Sequence, residues 1–307
     1  TLAEFGSVSL YGVSTFTAGI YKYWLGMGDL TSARQLALLL MLFVVVLVLL
    51  EKRARGDARF TDPFAAFKPH QRIQLSGWKR YAIPFLVSIP VTLGFFIPVI
   101  ALAHWSLYYT SAWFDILTWQ ALWHSLLLGS LVAGVTLVSG LAFSYFLRYS
   151  PRTPLSHLVR FSAFTYALPG SVIAVGIAIP LLSFDHLIGE GLSLFGIETG
   201  LIFAGTLVAI VLACAIRFHG MSLSSLESGL QRLPLTTDDV GRMLGSTRGR
   251  ILREIHLPLL KNSLLSAAIF VFVDTIKELP ATLMLRPFNY DTLAIRAYDL
   301  AGDEQLY

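Results

Sequence analysis

The hydrophobic residues of this chain are gathered in long apolar stretches that short polar segments separate. Six stretches approach or exceed the ~20 residues that a helix needs to cross a ~30 Å hydrocarbon core. Backbone polar groups in lipid must be paired within their own segment, so each stretch is predicted to be a helix. The six predicted spans are 33–50, 81–104, 119–147, 161–182, 200–216 and 263–283.

The composition agrees with a membrane location. Of the 307 residues, 55% are hydrophobic and only 14% are charged. Soluble domains carry roughly 25% charged residues, so this chain has too few charges to cover a globular surface in water. The single cysteine, Cys214, lies within the fifth predicted span, where it cannot form an intramolecular disulfide. The sequence therefore predicts an all-α fold, a polytopic transmembrane helical bundle.

The distribution of basic residues predicts how this bundle is oriented. Segments 51–80, 148–160 and 217–262 together hold 18 Lys and Arg residues, whereas the alternate segments hold three. Cytoplasmic loops of membrane proteins carry the excess of Lys and Arg, so we expect 217–262 in the cytoplasm and both ends of the chain outside. The same asymmetry accounts for the basic charge balance, which therefore gives no support to a nucleic-acid partner.

Two segments near the ends of the chain are similar at an offset of 274 residues. The sequence TLAE at 1–4 aligns with TIKE at 275–278, and Gly-Asp at 28–29 aligns with Gly-Asp at 302–303. Both segments are predicted on the same side of the membrane, and related halves are common in transporters. The alternative is a chance similarity between two loop-like segments.

The internal repeat predicts a division of the chain. Residues 1–50 are expected to end an upstream repeat of the same polypeptide, and 51–80 to form a cytoplasmic linker. Residues 81–307 are then a second repeat, which lacks the helix expected after its last residue. On this interpretation the sequence is mostly the second half of a two-repeat protein and is incomplete at both ends.

The predicted cytoplasmic loop at 217–262 contains a motif with regular spacing. The sequence DVGRMLG ends at Gly245, and after nine intervening residues the sequence IHLP begins at Ile255 and ends at Pro258. This spacing resembles the "EAA" loop of ATP-binding-cassette (ABC) importer permeases, which reads Glu-Ala-Ala, three residues, Gly, nine residues, Ile-x-Leu-Pro. Asp239 stands in place of the Glu, and Val240 and Gly241 stand in place of the alanines. The alternative is a basic loop that topology alone places here.

The resemblance implies that the loop at 236–258 docks into a separate cytoplasmic ATPase subunit. It also implies that the chain itself has no ATPase site and binds no cofactor, because the partner subunit uses the ATP. The residues to which we assign coupling are Asp239, Val240, Gly241, Gly245, Arg248, Ile255, Leu257 and Pro258.

Local signals predict the secondary structure of this loop. Gly245 is a suitable residue to end one short helix, and Thr247 is a suitable cap for the next. Pro258 fits the first turn of the helix that enters the membrane, where its missing N–H is not needed. The candidate N-caps of the first short helix are Thr236, Thr237 and Asp238.

A second stretch is similar to ferric-iron importer permeases. It is the sequence KELPATL at 277–283, and the segments 2–6, 15–21 and 26–29 resemble the matching part of that family's first half. The resemblance covers essentially the whole chain. It implies the type I ABC importer permease fold, a bacterial inner-membrane location, alternating access, and a periplasmic ferric-iron-binding protein as a partner.

Ferric iron prefers oxygen ligands such as carboxylate and phenolate. The sequence shows no Cys cluster and no closed ligand set, so we assign no metal site and expect only passing contacts. Asp274 and Glu278 are four residues apart, which predicts that they share one helix face, with Lys277 between them. The repeat places Glu4 opposite Glu278, and these four residues are our candidates for the translocation path. The alternative is that Glu278 pairs with Lys277, with Arg286 or with a neighbouring helix.

The hypothesis for function is a permease that imports ferric iron and is driven by a separate ATPase. No phosphate-binding loop, serine-hydrolase motif or zinc-protease motif occurs in the sequence, so enzymatic function is not indicated. Three alternatives stay open. They are the same machine for thiamine, a polyamine or an oxyanion, a carrier driven by an ion gradient, and an integral membrane enzyme.

Overall fold

The structure of the chain, a computed structural model, describes residues 4–55, 76–108, 115–193, 195–196 and 200–302. Within these residues the regular elements are helices, and no strand is found. The α-helices are α1 (Gly6–Leu10), α2 (Phe16–Tyr21), α3 (Leu30–Arg55), α4 (Lys79–Val91), α5 (Ile97–Tyr108), α6 (Ile116–Tyr149), α7 (Pro154–Ser162), α8 (Gly170–Ser193), α9 (Leu207–Gln231), α10 (Leu235–Met243), α11 (Arg248–Ile251), α12 (Leu257–Ile276), α13 (Pro280–Leu285) and α14 (Leu293–Gly302). Short π-helical segments, Lys22–Gly26, Thr92–Phe96 and Leu252–His256, join neighbouring helices.

Six helical stretches in the described residues are long and apolar enough to cross a membrane. They are Leu30–Glu51, Lys79–Tyr108, Ile116–Tyr149, Gly170–Ser193, Leu207–Gln231 and Arg248–Ile276. Each overlaps one of the six spans predicted from the sequence. The prediction of an all-α, polytopic membrane protein is therefore confirmed.

Several span boundaries were predicted wrongly, and proline explains two of them. The fourth span begins at Gly170 rather than near residue 161, because Pro169 disfavours helical backbone at Leu168, which is extended (φ −77°, ψ 136°). The sixth span ends at Ile276 rather than at residue 283. The chain leaves the helix at 277–279, and Pro280, which has no N–H, starts the separate helix α13.

The described chain divides into two compact units. One unit comprises Thr1–Leu50 together with Trp119–Leu306, and the other covers Glu51–Thr118. The domains predicted at 1–50, 51–80 and 81–307 were defined by the internal repeat, whereas these two units are defined by compactness. The predicted domains therefore stay a prediction. Residues 56–75 of the predicted linker lie outside the described residues.

The core of the first unit is built where α3, α6, α8, α9 and α12 meet. Its fully buried members include Leu40, Val132, Ile210 and Cys214. Small residues allow the helices of this core to approach closely, since a Cβ atom added at Gly140 on α6 would lie 2.6 Å from the hydroxyl of Ser222 on α9. The side chain of Ser222 on α9 therefore packs directly against the backbone of α6 at Gly140.

Short helices at the two ends of the first unit begin 274 residues apart, which is the predicted repeat offset. The helix α1 begins at Gly6 and α13 begins at Pro280. The same capping bond precedes each, because Glu4 Oε1 accepts from the N–H of Ser7 and Glu278 Oε1 accepts from the N–H of Ala281, both at 3.3 Å. This correspondence agrees with an internal repeat, although the repeat itself stays a prediction.

Candidate functional site

The candidate coupling loop connects the fifth and sixth spans through α10 and α11. Helix α10 ends in a Schellman motif, in which Gly245 adopts φ +80° and its N–H donates to Arg242 O at 2.9 Å. The N–H of Ser246 completes the motif by donating to Gly241 O at 3.0 Å. The hydroxyl of Thr247 then caps α11 by accepting from the N–H of Arg250. The predicted roles of Gly245 and Thr247 in the local structure are confirmed.

The predicted start of α10 was wrong. The helix begins at Leu235, directly after Pro234, and none of the three candidate caps accepts a bond from its first turn. Because the helix begins earlier than predicted, Asp238 lies inside it rather than at its end. Within the helix, Asp238 faces the protein and Asp239 faces solvent.

Helices α11 and α12 form one continuous rod across the site of Pro258. The π-helical segment Leu252–His256 precedes this proline, which sits in the first turn of α12 as predicted. A proline in a helix removes one N–H donor and crowds the carbonyl four residues earlier. The wider π-turn accommodates this defect, so the helix continues without a break from α11 into the sixth span.

One face of α10 is exposed and carries an apolar tip. Asp239 faces solvent on this helix, as do Val240, Met243 and Leu244. Gly241 faces inward instead, where a Cβ atom would lie 3.0 Å from Ile251 Cγ1. That close approach explains why glycine replaces the second alanine of the motif. Of the remaining assigned residues, Arg248 and Pro258 are exposed, and Ile255 and Leu257 are partly buried.

Asp238 is the buried anchor of the loop. Its side chain contacts Arg148 Nε on α6 at 2.8 Å and His256 Nε2 at 2.7 Å, and all three side chains are nearly inaccessible to solvent. Burial alone would raise the pKa of Asp238. The hydrogen bond and positive charge of Arg148, with a smaller effect of His256, hold this pKa below the usual carboxyl range instead. The carboxylate is therefore ionised at neutral pH.

The C-terminal end of α6 contacts the loop at several points. The remaining N–H groups of Arg148 donate to the carbonyl oxygens of Leu230, Leu233 and Pro234, at 2.7, 3.1 and 3.2 Å. Tyr145 OH donates to Arg248 O at 3.1 Å. The guanidinium groups of Arg242 and Arg248 lie over the ring of Tyr149, at 5.4 and 4.9 Å from its centroid. We call Tyr145, Arg148 and Tyr149 the α6 clasp.

Sequence reasoning missed this clasp. The only early signal was the position of Arg148 at the predicted cytoplasmic end of the third span. Its partner Asp238 lies 90 residues further along the chain, and a single sequence gives no indication of such a pairing.

The candidate path residues lie around the break between α12 and α13. Asp274 lies in the last turn of α12, where its carboxylate contacts Lys277 Nζ at 2.7 Å and accepts from Tyr166 OH at 3.3 Å. Glu278 lies beyond the helix end, so the expectation that Asp274 and Glu278 share one helix face was wrong. The physical reason is the interruption of the helix ahead of Pro280.

Glu278 pairs with a neighbouring helix, which was one of the alternatives that the sequence left open, and the partner residue is Arg217. Glu278 is buried and forms an ion pair with Arg217 of α9, while it also caps α13. Gly170 packs directly against both charged groups and has no room for a side chain. Glu4, by contrast, is exposed and caps α1. A role for either glutamate in translocation stays a prediction.

A metal site was not assigned from the sequence. Within the described residues, no group of three or more His, Cys, Asp or Glu side chains is arranged to hold a metal ion. Tyr166 and Asp274 are two neighbouring oxygen donors of the kind that ferric iron prefers.

The helices and the loop together define a multi-pass membrane protein that is similar to ABC importer permeases. No family model matches the sequence. The chain is 26% identical over 312 residues to the Fe(3+)-transport system permease protein FbpB 2 of Haemophilus influenzae. This similarity covers 99% of the chain and 58% of that relative. The resemblance to ferric-iron permeases is thus confirmed.

A second set of relatives carries the name of a different solute. The chain is 25% identical over 183 residues to PhnV of Salmonella typhimurium, a permease protein named for 2-aminoethylphosphonate transport. That similarity covers 59% of the chain and 63% of the relative. The chain thus spans about three fifths of the length of the curated relatives it matches.

Proposed function

We propose that this chain is the greater part of a permease that imports ferric iron through the bacterial inner membrane. A periplasmic binding protein delivers the iron, and a separate cytoplasmic ATPase supplies the energy. The chain has no ATPase site of its own, and an upstream repeat of the same polypeptide completes the pathway. The observation that carries this proposal is helix α10, a rigidly capped helix that is clasped to the bundle on one face and exposed on the other.

The geometry of the loop suits the transfer of motion. The exposed tip of α10, formed by Val240, Met243 and Leu244, offers the ATPase an apolar contact, and Asp239 adds a charge beside it. Docked proteins exchange force through such rigid elements rather than through mobile loops. In this account the loop lies in the cytoplasm, and closure of the ATPase pair moves α10, α11 and α12 together.

The path of the iron is proposed to run past Tyr166 and Asp274. Both carry oxygen ligands, and both lie beside the helix break at 277–279. Lys277 holds the Asp274 carboxylate and would be displaced by an arriving cation. Glu278 and Glu4 are the other candidates, although the ion pair with Arg217 already satisfies Glu278.

The similarity to PhnV favours a second candidate solute, an organic phosphonate. Arg217 and Lys277 are the cations that an anionic solute would meet near the same break. The two solutes are distinguished by uptake into vesicles that hold the full-length permease, its ATPase and its binding protein. We expect ATP-dependent uptake of labelled ferric iron that excess 2-aminoethylphosphonate does not reduce. Uptake of the phosphonate but not of iron would contradict the iron assignment.

A further inference from the structure

The end of α6 opposite the clasp also contacts a distant segment of the chain, residues 290–293. Tyr290 OH donates to His124 O at 3.1 Å, and the two rings stack with centroids 4.2 Å apart. The buried hydroxyl of Ser125 accepts from the N–H of Leu293 at 2.8 Å, and His124 Nδ1 lies 3.1 Å from Asp291 O. Residues 290–293 are therefore tied to this end of α6. They belong to a segment that charge asymmetry predicts on the outer side.

The helix between these two ends is continuous. Helix α6 contains no proline within Ile116–Tyr149 and no π-helical turn. From Ser125 to Arg148 it extends roughly 35 Å at the ~1.5 Å rise of an α-helix, which exceeds the ~30 Å hydrocarbon core. One uninterrupted helix therefore joins the tied outer segment to the coupling loop.

The packing of α6 against α9 fixes these two helices to each other. Gly140 and Ser222 bring them close, and Ser222 Oγ donates to Thr136 O at 2.9 Å. Ser139 Oγ also lies 3.0 Å from His219 Nδ1 of α9. A shift of α6 would therefore carry α9 with it, and rigid-body movement of packed elements is an established form of conformational change.

We propose that α6 is the mechanical link between the binding-protein side and the ATPase side of the permease. Contact of a binding protein with residues 286–293 shifts Ser125, and α6 carries the shift to Arg148 and from there to Asp238. His124, Ser125 and Arg148 act as positioning residues and touch no solute. This inference rests on the proposed function and adds the route by which the two partners sense each other. Because coupling is reciprocal, ATPase closure moves the outer segment by the same route.

The test uses a substitution at the outer end and a control on the same helix. Ser125→Ala removes the hydroxyl that holds Leu293. Ser130→Ala removes an exposed hydroxyl that, among the described residues, bonds to Leu126 O of its own helix. Both variants are measured in the full-length permease, reconstituted with its ATPase and the binding protein. We expect Ser125→Ala to lower the stimulation of ATP hydrolysis by the binding protein about two- to tenfold, the equivalent of one lost hydrogen bond.

The basal rate of ATP hydrolysis and the KM for ATP should stay unchanged in Ser125→Ala, and Ser130→Ala should behave as the wild type. If the binding protein stimulates ATP hydrolysis equally in Ser125→Ala and in the wild type, transmission through α6 is contradicted, and the proposed function is not affected. A wild type that does not respond to the binding protein would overturn both. If Ser125→Ala fails to fold, Tyr290→Phe carries the same test, because it removes only the bond to His124 O.

Hydrogen exchange provides a direct measure of the transmitted shift. In the wild type and in Ser130→Ala, addition of the binding protein should change amide exchange in 235–245. In Ser125→Ala this change should be lost, while exchange at 290–293 still responds. An equal response of 235–245 in all three proteins would contradict transmission through α6.

Discussion

Asp238 and Asp239 are adjacent on α10, yet their surroundings are opposite. Asp238 is 2% exposed and contacts Arg148 and His256, whereas the side chain of Asp239 is 66% exposed and lies 3.8 Å from Arg242. A buried charge that loses its partner is costly, while a surface ion pair contributes little. Asp238 therefore fixes the loop, whereas Asp239 is exposed, as the partner contact that we propose for it requires.

This difference predicts the effect of removing each charge. Asp238→Asn leaves Arg148 buried without a counter-charge and should lower the free energy of unfolding by about 3–5 kcal/mol. Asp239→Asn is the matched control and should change it by less than about 0.5 kcal/mol. Thermal unfolding of the purified variants in detergent measures both. Equal effects of the two substitutions would contradict the buried anchor.

The same anchor has a defined pH dependence. The folded protein holds the pKa of Asp238 below its unfolded value, so its stabilising contribution is present above that unfolded value of ~3.9. The contribution is lost only as the pH falls through the lower, folded pKa. The stability difference between wild type and Asp238→Asn should therefore be constant near neutral pH and shrink in acid. A difference that already shrinks between pH 7 and pH 5 would contradict an Asp238 carboxylate whose pKa is held below its usual range.

The sequence marked Asp239 through its place in a spaced motif, but nothing in it distinguished Asp238. Asp238 is turned inward by the packing of α10, which brings its carboxylate to Arg148 and His256. The partner Arg148 belongs to another helix. Burial and pairing of this kind arise from tertiary packing, which local pattern does not encode.

At the scale of elements, the coupling loop was predictable because its signals are local. Gly245, Thr247 and Pro258 act on neighbouring backbone groups, and each has its expected place in the structure. The end of the sixth span was not predicted, because an apolar run continues past Ile276 while the helix stops. A hydrophobic stretch indicates that the chain is surrounded by lipid or by the protein core, but it does not indicate where the helix ends.

The cap at the end of α10 predicts an uncoupled variant. Gly245→Pro fixes φ near −65° where the structure requires +80°, and it removes the N–H that donates to Arg242 O. We expect at least a tenfold loss of ATPase-driven uptake, while membrane insertion is unchanged. Gly249→Ala is the control, since Gly249 has an ordinary backbone and open space around it. Normal uptake by Gly245→Pro would contradict the coupling role.

The break between α12 and α13 predicts how Glu278 acts. If it serves the fold, Glu278→Gln should lower the melting temperature, because Arg217 loses its buried partner. Asp274→Asn removes a carboxylate that also meets Tyr166, and it should reduce iron uptake with less effect on melting. The two variants are compared by thermal unfolding and by uptake. A stable Glu278→Gln protein without uptake would instead place Glu278 in the path.

At the scale of the molecule, the six spans and the all-α class followed from length and apolarity alone, because lipid permits few backbone structures. The arrangement of α6, with the clasp at one end and residues 290–293 at the other, did not follow from sequence. It depends on contacts between segments more than 100 residues apart. The matching caps before α1 and α13 give the repeat a structural counterpart that the short sequence similarity lacked.

The measurement that tests the central claim most directly is uptake of radiolabelled ferric iron into vesicles that contain the full-length permease and its binding protein. It is made with and without the ATPase subunit and with and without ATP. We expect uptake only when the ATPase and ATP are both present. Iron uptake in the absence of the ATPase would contradict the account, because the loop at 236–258 would then have no partner whose motion it could transmit.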